Sequence, residues 1–257
     1  SNSLSHKTHM PNLPETFVEG FHDLSAVQRM PYRKMGDTGV LVSSLGFGGS
    51  ALGGVFHDVT DQECIDVVKV ALQAGVNVID TAPWYGNGKS EEMLGKALKG
   101  LPRQAYYLHT KVGRYEPTLE KMFDFSAERT YRSVYESLAR LQLDHIDCIQ
   151  VHDIEFAPDL DVIVHETLPV LERLRQAGVV RRIGVTGYVL DALREVVARS
   201  AVRIDTVLSY CRYTLLDRSL EDLMPFLEAR GVGLANAAPT GMGLLTAAGP
   251  PAWHPAS

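Results

Sequence analysis

Along the chain, short apolar runs rich in β-formers alternate with longer stretches in which apolar positions recur every three or four residues. The short runs are SLGFG, VNVID, YYLHTKV, IDCIQV, RRIGV, DTVLSY and VGLANA. Between them lie ECIDVVKVALQAG, SEEMLGKALKG, ERTYRSVYESLARL, DVIVHETLPVLERLRQAG, VLDALREVVARS and LEDLMPFLEARG. The alternation repeats about every 30 residues, the size of a strand-helix unit. Four helical runs close on Gly75, Gly100, Gly178 and Gly231, where a left-handed helix cap favours glycine. Strands with continuous apolar runs are those buried on both faces, so the pattern predicts a parallel sheet under helices. An open doubly wound sheet and a closed barrel both satisfy it.

A closed barrel of this type has eight strands, and the pattern supplies about seven. The tail PTGMGLLTAAGPPAWHPAS reads as loop, so a barrel here is expected to stop one unit short, with two sheet edges to cover. Ahead of the alternation, YRKM and VLVSS flank GDTG and predict a β-hairpin. Residues 1–30 show no sustained period and are expected to form an extension lying over or beside a domain of residues 31–257.

Composition narrows the class. At 257 residues with 45% hydrophobic content, the chain can bury the core of one large domain. A formal net charge of -6 opposes general attraction to nucleic acid or anionic membranes. No apolar run approaches the roughly 18 residues that cross a bilayer, and no signal core precedes the domain, so the expected location is the cytoplasm. Cys64, Cys148 and Cys211 are odd in number and set in apolar runs, which predicts reduced thiols, not disulfides or metal ligands.

The candidate chemistry gathers at the C-terminal ends of the strands, the rim on which barrels build active sites. Asp80 ends VNVID, Lys111 ends YYLHTKV, His152 follows IDCIQV, and Tyr85 lies in the loop after Asp80. Taken singly, each has a structural reading as an ion-pair partner, a turn aromatic or a satisfied rim histidine. Together they make a specific set. A phenol is a poor base at neutral pH unless a cation stabilises its anion. Lys111 would supply that cation and Asp80 would hold it, while Tyr85 exchanges a proton with a substrate oxygen positioned by His152. No metal is required.

Two motifs mislead. GFGGSA fits the glycine pattern of a dinucleotide-binding turn, but LGGVFHDVTD follows where a helix is needed. GNGKS imitates the end of a phosphate-binding loop, yet Pro83 occupies the position of its first glycine. Ser90 is read instead as a helix N-cap, with Glu91 and Glu92 favoured by the helix dipole.

The segments LGFGGSALG, NVIDTAPWYGNGKSEEMLGKAL, TKVGRY, FDFSAERTYRSVYESLARLQLDHIDCIQVHDIEF, RRIGVTGYVLD and LSYCRY with GMGLLT resemble the aldo-keto reductase family across residues 32–257. Within it VHDIEF, GVTG and LSYC are most similar to the L-galactose dehydrogenase branch, which oxidises aldoses at C1 to lactones. The resemblance implies a TIM-type (β/α)8 barrel, here lacking its last strand-helix unit, and a nicotinamide cofactor, NAD or NADP, across its mouth. It makes Asp80, Tyr85, Lys111 and His152 the catalytic tetrad. Gly48, Gly49 and Ser50 would approach the nicotinamide and substrate, and Thr186, Gly187 and Tyr210 would hold the ring and its amide. Ala238, Pro239, Thr240, Gly241 and Gly243 would face the pyrophosphate. Ala238 and Thr240 depart from the Ser and Leu often found there. The segment that separates NAD from NADP in the family is not among these residues. The implied substrate is a small sugar or aldehyde. A reductase of small aldehydes or ketones, and a non-catalytic binding or regulatory relative, are the alternatives. No oligomeric state is implied.

Overall fold

In the computed structural model, which describes residues 13–252 and 254, the seven expected strands form one parallel sheet. The hairpin is β1 (Tyr32–Lys34) and β2 (Leu41–Ser43), antiparallel. The sheet strands are β3 (Phe47–Gly48), β4 (Val78–Asp80), β5 (Tyr107–Val112), β6 (Ile146–Val151), β7 (Val180–Gly187), β8 (Thr206–Tyr210) and β9 (Gly233–Ala237), paired in chain order. Sequential parallel pairing through helical crossovers is the topology of the (β/α) barrel, not of a doubly wound sheet. Among the described residues, β3 and β9 are the two edges.

The helices are α1 (Leu24–Arg29), α2 (Asp61–Gln73), α3 (Lys89–Leu98), α4 (Leu119–Met122), α5 (Ala127–Leu141), α6 (Leu160–Val162), α7 (Leu168–Gln176), α8 (Leu190–Arg199) and α9 (Met224–Glu228). The four glycines expected at helix ends all take positive φ. Two helical runs are broken where proline intervenes. Pro169 cannot donate to the preceding turn, and the run splits into α6, a π turn over Ile163–Thr167, and α7. Likewise LEDLMPFLEARG becomes a 3-10 turn, Ser219–Asp222, followed by α9, which carries Pro225 in its first turn.

Side chains alternate across the strands and divide the fold into two environments. Ile149, Ile183, Val185 and Val207 pack under α5, α7 and α8 with Val134, Leu171 and Leu193. Ile79 and Leu108 pack with Cys64, Val68 and Leu72 of α2 and with Met93 and Leu94 of α3. The opposite parity, Asp80, Lys111 and Gln150, points inside, where Lys111 and Gln150 face each other in register. The hairpin closes the N-terminal end through Met35, Val40 and Val42 against Val78.

Residues 13–30 contribute structure that periodicity left out. Asp23 caps α1 by accepting from Ser25 N and Ala26 N, and Val27 is buried. Asn77 donates through Nδ2 to Thr16 Oγ1 at 3.0 Å and to Leu41 O at 2.9 Å, tying this segment to the hairpin. Residues 1–12 of the expected extension lie outside the described residues.

Candidate active site

Parallel strands raise all their C-terminal ends to one rim, and the register brings three of the four expected polar residues into contact there. Lys111, on β5, is almost fully buried and donates through Nζ to Asp80 Oδ1 at 2.5 Å, to the Thr81 carbonyl at 2.8 Å and to the Tyr85 hydroxyl at 3.2 Å. An ammonium with three oxygens around it is satisfied. Burial opposes its charge, but Asp80 and the Tyr85 oxygen outweigh that and raise its pKa above the ordinary lysine value. Burial likewise pushes the Tyr85 phenol up, and Lys111 works against that shift.

His152 completes the set from the loop after β6. Its ring meets the Tyr85 ring edge-on with centroids 6.0 Å apart. Its backbone N–H donates to Val112 O at 2.8 Å, which fixes the turn. Among the described residues, neither ring nitrogen makes a hydrogen bond, and Nδ1 is buried without a partner. Burial, then the cations Lys111 and Arg114, hold the imidazole well below its ordinary pKa, so it is neutral at physiological pH.

The remaining expected residues line the same rim. Gly48 ends β3, and Gly49 and Ser50 open a 3-10 turn, Gly49–Gly53. Gly49 backs onto the Asp80 carbonyl, with 3.1 Å from there to where a Cβ would stand. Thr186 and Gly187 end β7, and Thr186 Oγ1 accepts from Asp153 N at 3.1 Å, beside His152. Tyr210 ends β8 with its ring 4.9 Å from that of Tyr188. Ala238, Pro239, Thr240, Gly241 and Gly243 follow β9 and reach the others through Cys211, whose N–H donates to Ala237 O at 3.1 Å. They continue the rim three strands beyond His152, and among the described residues no hydrogen bond joins them to the tetrad.

Ser90 corrects the sequence reading. The residue before α3 is Gly88 at φ 91, and Ser90 lies inside the helix, fully buried. Its hydroxyl donates to Gly49 O at 2.7 Å and meets Thr81 Oγ1 at 2.8 Å. Glu91 is also buried, accepting from Thr110 Oγ1 at 2.5 Å and Arg140 Nε at 2.7 Å, so it answers a cation and not only the helix dipole.

Other contributors carry no motif. Gln150 donates through Nε2 to Asp80 Oδ2 at 2.8 Å and fixes the carboxylate that holds Lys111. Its place two residues before His152 was the available signal, since strand residues two apart share a face. Arg114 pairs with Asp153 at 2.7 Å and lies over Trp84, 4.3 Å from the ring centre. Phe156 stacks on Phe123 at 4.7 Å and meets Tyr188 edge-on, giving the rim an aromatic wall. Glu155 accepts from Tyr188 N at 2.6 Å, and a Cβ at Gly187 would strike its carboxylate.

The chain is similar to known proteins over most of its length. The model of the Aldo/keto reductase family matches residues 44–252. The chain is 49% identical over 232 residues to L-galactose dehydrogenase of Arabidopsis thaliana, covering 89% of this chain and 71% of that protein. It is 33% identical over 233 residues to D-threo-aldose 1-dehydrogenase of a Pseudomonas species, covering 82% and 70%. A solved aldo-keto reductase of Klebsiella pneumoniae in complex with NADPH superposes with a TM-score of 0.70 at 26% identity, covering 85% of this chain and 71% of that one.

Proposed function

The chain belongs to the aldo/keto reductase family of oxidoreductases, and on that premise we propose that it oxidises an aldose of the L-galactose or L-fucose type at C1 to a lactone. The observation that carries this reading is the placing of Lys111 Nζ between Asp80 and the Tyr85 hydroxyl, with the neutral His152 ring facing the same phenol. The 49% identity to a plant L-galactose dehydrogenase supports the sugar class. So does the aromatic wall of Trp84, Phe123, Phe156 and Tyr188 beside Arg114 and Asp153, because sugars offer both apolar ring faces and hydroxyls.

A nicotinamide cofactor, NAD or NADP, supplies the hydride acceptor. The rim fits such a group. Gly48 leaves open space where a Cβ would stand, and Tyr210 offers a partly exposed ring at the end of β8. Gly241, Met242 and Gly243 are three successive residues of positive φ, and the two glycines let a phosphate approach the backbone closely. Thr186, Gly187 and Tyr210 would hold the nicotinamide, and the loop from Ala238 to Gly243 its phosphates.

Within the chain, the Tyr85 oxygen takes the proton of the anomeric hydroxyl as C1 gives up hydride, and the C1–O bond becomes the lactone carbonyl. Lys111 stabilises the phenolate that this requires, and Asp80, fixed by Gln150, keeps Lys111 in place. His152 donates a hydrogen bond to the substrate oxygen.

Steady-state kinetics with L-galactose, L-fucose and a panel of small aldehydes, each with both coenzymes, test the proposal. Turnover of the sugars with formation of lactone is expected, and a Tyr85→Phe protein should lose roughly a hundredfold or more. Full turnover by Tyr85→Phe overturns the mechanism. Reduction of aldehydes with no action on sugars would make the chain a carbonyl reductase using the same residues in reverse.

A further inference from the structure

We propose that Arg114 is a positioning residue that occupies the Asp153 carboxylate and thereby leaves His152 free to face the substrate oxygen. The inference rests on the functional reading above and assigns a job to an ion pair that the tetrad does not use.

Four distances carry it. Arg114 Nη1 donates to Asp153 Oδ2 at 2.7 Å. The same oxygen lies 3.7 Å from His152 Nε2, near but too long for a hydrogen bond. The guanidinium is held from above by the Trp84 ring at 4.3 Å and on its flank by the Phe123 ring at 5.3 Å. Asp153 is itself fixed, at φ 51, by its N–H to Thr186 Oγ1. His152 and Asp153 are both buried, so a carboxylate without a partner in this place would seek the nearest donor. Besides the Thr186 hydroxyl, which already bears on this carboxylate, that donor is the imidazole of the adjacent residue. Once captured, His152 could not offer the same N–H to a substrate, and the added negative charge would favour its protonated form.

The charged and titratable groups around His152 come from three directions. Lys111, paired with Asp80, faces it from β5, and Arg114 from the loop after β5. The Tyr85 phenol faces it from the loop after β4. Asp153 is on its own loop, with Glu155 beyond. Arg114→Met removes a cation and releases an anion, and both changes raise the imidazole pKa. Arg114→Met with Asp153→Asn removes both charges and leaves burial and Lys111, which lower it.

The test compares wild type, Arg114→Met, Arg114→Lys, Asp153→Asn and the Arg114→Met/Asp153→Asn double variant. Two readouts are used: the pH profile of kcat and KM with L-galactose, and the NMR titration of the His152 imidazole without substrate. Arg114→Met is expected to lower kcat about 10- to 100-fold with little change in KM. The acid-side break in kcat/KM and the imidazole titration should both move to higher pH. The double variant should return both readouts towards wild type, a rescue that a packing role does not produce. Asp153→Asn keeps a residue suited to positive φ and leaves the Arg114 cation unpaired, so its imidazole should titrate at or below the wild-type pH, never above it. Arg114→Lys keeps a cation on Asp153 and should titrate like wild type, which preserves the test if the Met variant fails to fold. An unmoved titration in Arg114→Met, or a double variant no better than the single, overturns the inference. So does an Asp153→Asn loss equal to that of Arg114→Met. A wild-type protein inert towards every sugar and aldehyde defeats the functional reading, whereas the imidazole titration decides the behaviour of Arg114 separately.

Discussion

Gly53 and Gly86 lie back to back, so that the loop carrying Tyr85 rests directly on the turn after β3. A Cβ on Gly53 would stand 2.7 Å from the Tyr85 carbonyl oxygen and 2.9 Å from the Gly86 nitrogen, and one on Gly86, at φ 62, would strike the Gly53 carbonyl. Backbone has replaced side chain at this contact, and the contact sets the height of the phenol above Lys111. Gly53→Ala must push the loop away. Misplacing a reacting group by about an ångström costs on the order of a hundredfold in rate. We expect kcat with L-galactose to fall by about that factor while thermal unfolding shifts by only a few degrees. A variant with unchanged kcat would show that the loop yields without carrying Tyr85 along.

In the proposed reaction, Lys111 sets the pH at which Tyr85 accepts the proton. Burial raises the phenol pKa and the ammonium 3.2 Å away opposes that rise, so removing the cation sends the pKa higher still. Proton acceptance by Tyr85 is therefore favoured as pH rises, and Lys111→Met should move the alkaline rise of sugar oxidation to higher pH. It should also lower kcat near neutrality by about 10²–10⁴. The measurement is a pH–rate profile from neutrality into the alkaline range. A profile that merely scales down without moving would mean that Lys111 does not act on the phenol.

Asp80 answers a different question, that of stability. Its carboxylate joins Lys111 to Gln150, and the Lys111 side chain is only 2% exposed. Asp80→Asn leaves a buried ammonium without its anion, a loss of about 3–5 kcal/mol in comparable pairs. Urea unfolding should register most of that, because Thr81 and Tyr85 supply neutral oxygens but no charge.

The sequence made the strand ends legible because apolar runs stop where the rim begins, and three polar residues stood at those stops with Tyr85 in the loop beside them. Lys111, Asp80 and Tyr85 were found in this way, and they do converge. Gln150 and Arg114 were not found, since their roles depend on which strand lies beside which and on a side chain's direction, not on a run or a motif. The error at Ser90 has the same origin. A serine two residues after a glycine and just before two glutamates looks like a cap from its neighbours in the chain, whereas its partners Gly49 and Thr81 are brought by the sheet. Proline breaks in the α6–α7 and α9 runs were visible residue by residue but were outweighed by the apolar period around them.

Substitution can separate the two readings of Ser90. At an exposed N-cap, glycine replaces serine at a cost of only a few tenths of a kcal/mol. At a buried bridge, the same change strands the Gly49 carbonyl and the Thr81 hydroxyl, at about 1–3 kcal/mol for the unsatisfied groups, besides placing glycine inside a helix. Ser90→Gly should therefore cost several times more than a cap substitution in urea unfolding. A loss of a few tenths would restore the capping role.

The thiols report on the sheet's inner and outer packing. Cys64 and Cys148 are buried, and burial pushes the Cys148 thiol up to about 12, so neither presents a thiolate to a reagent at neutral pH. Cys211 follows Tyr210 on the rim, half-buried and with its pKa also raised by burial. Ellman's reagent at neutral pH should therefore titrate at most one thiol in the native protein, slowly, and all three in denaturant. Cys211→Ser should abolish the native reaction. Because Cys211 adjoins the rim expected to hold the nicotinamide, added NADH or NADPH should slow the native reaction further. Rapid labelling of two or three thiols in the native state would show that the sheet opens far enough to expose Cys148 or Cys64, which the packing described above forbids.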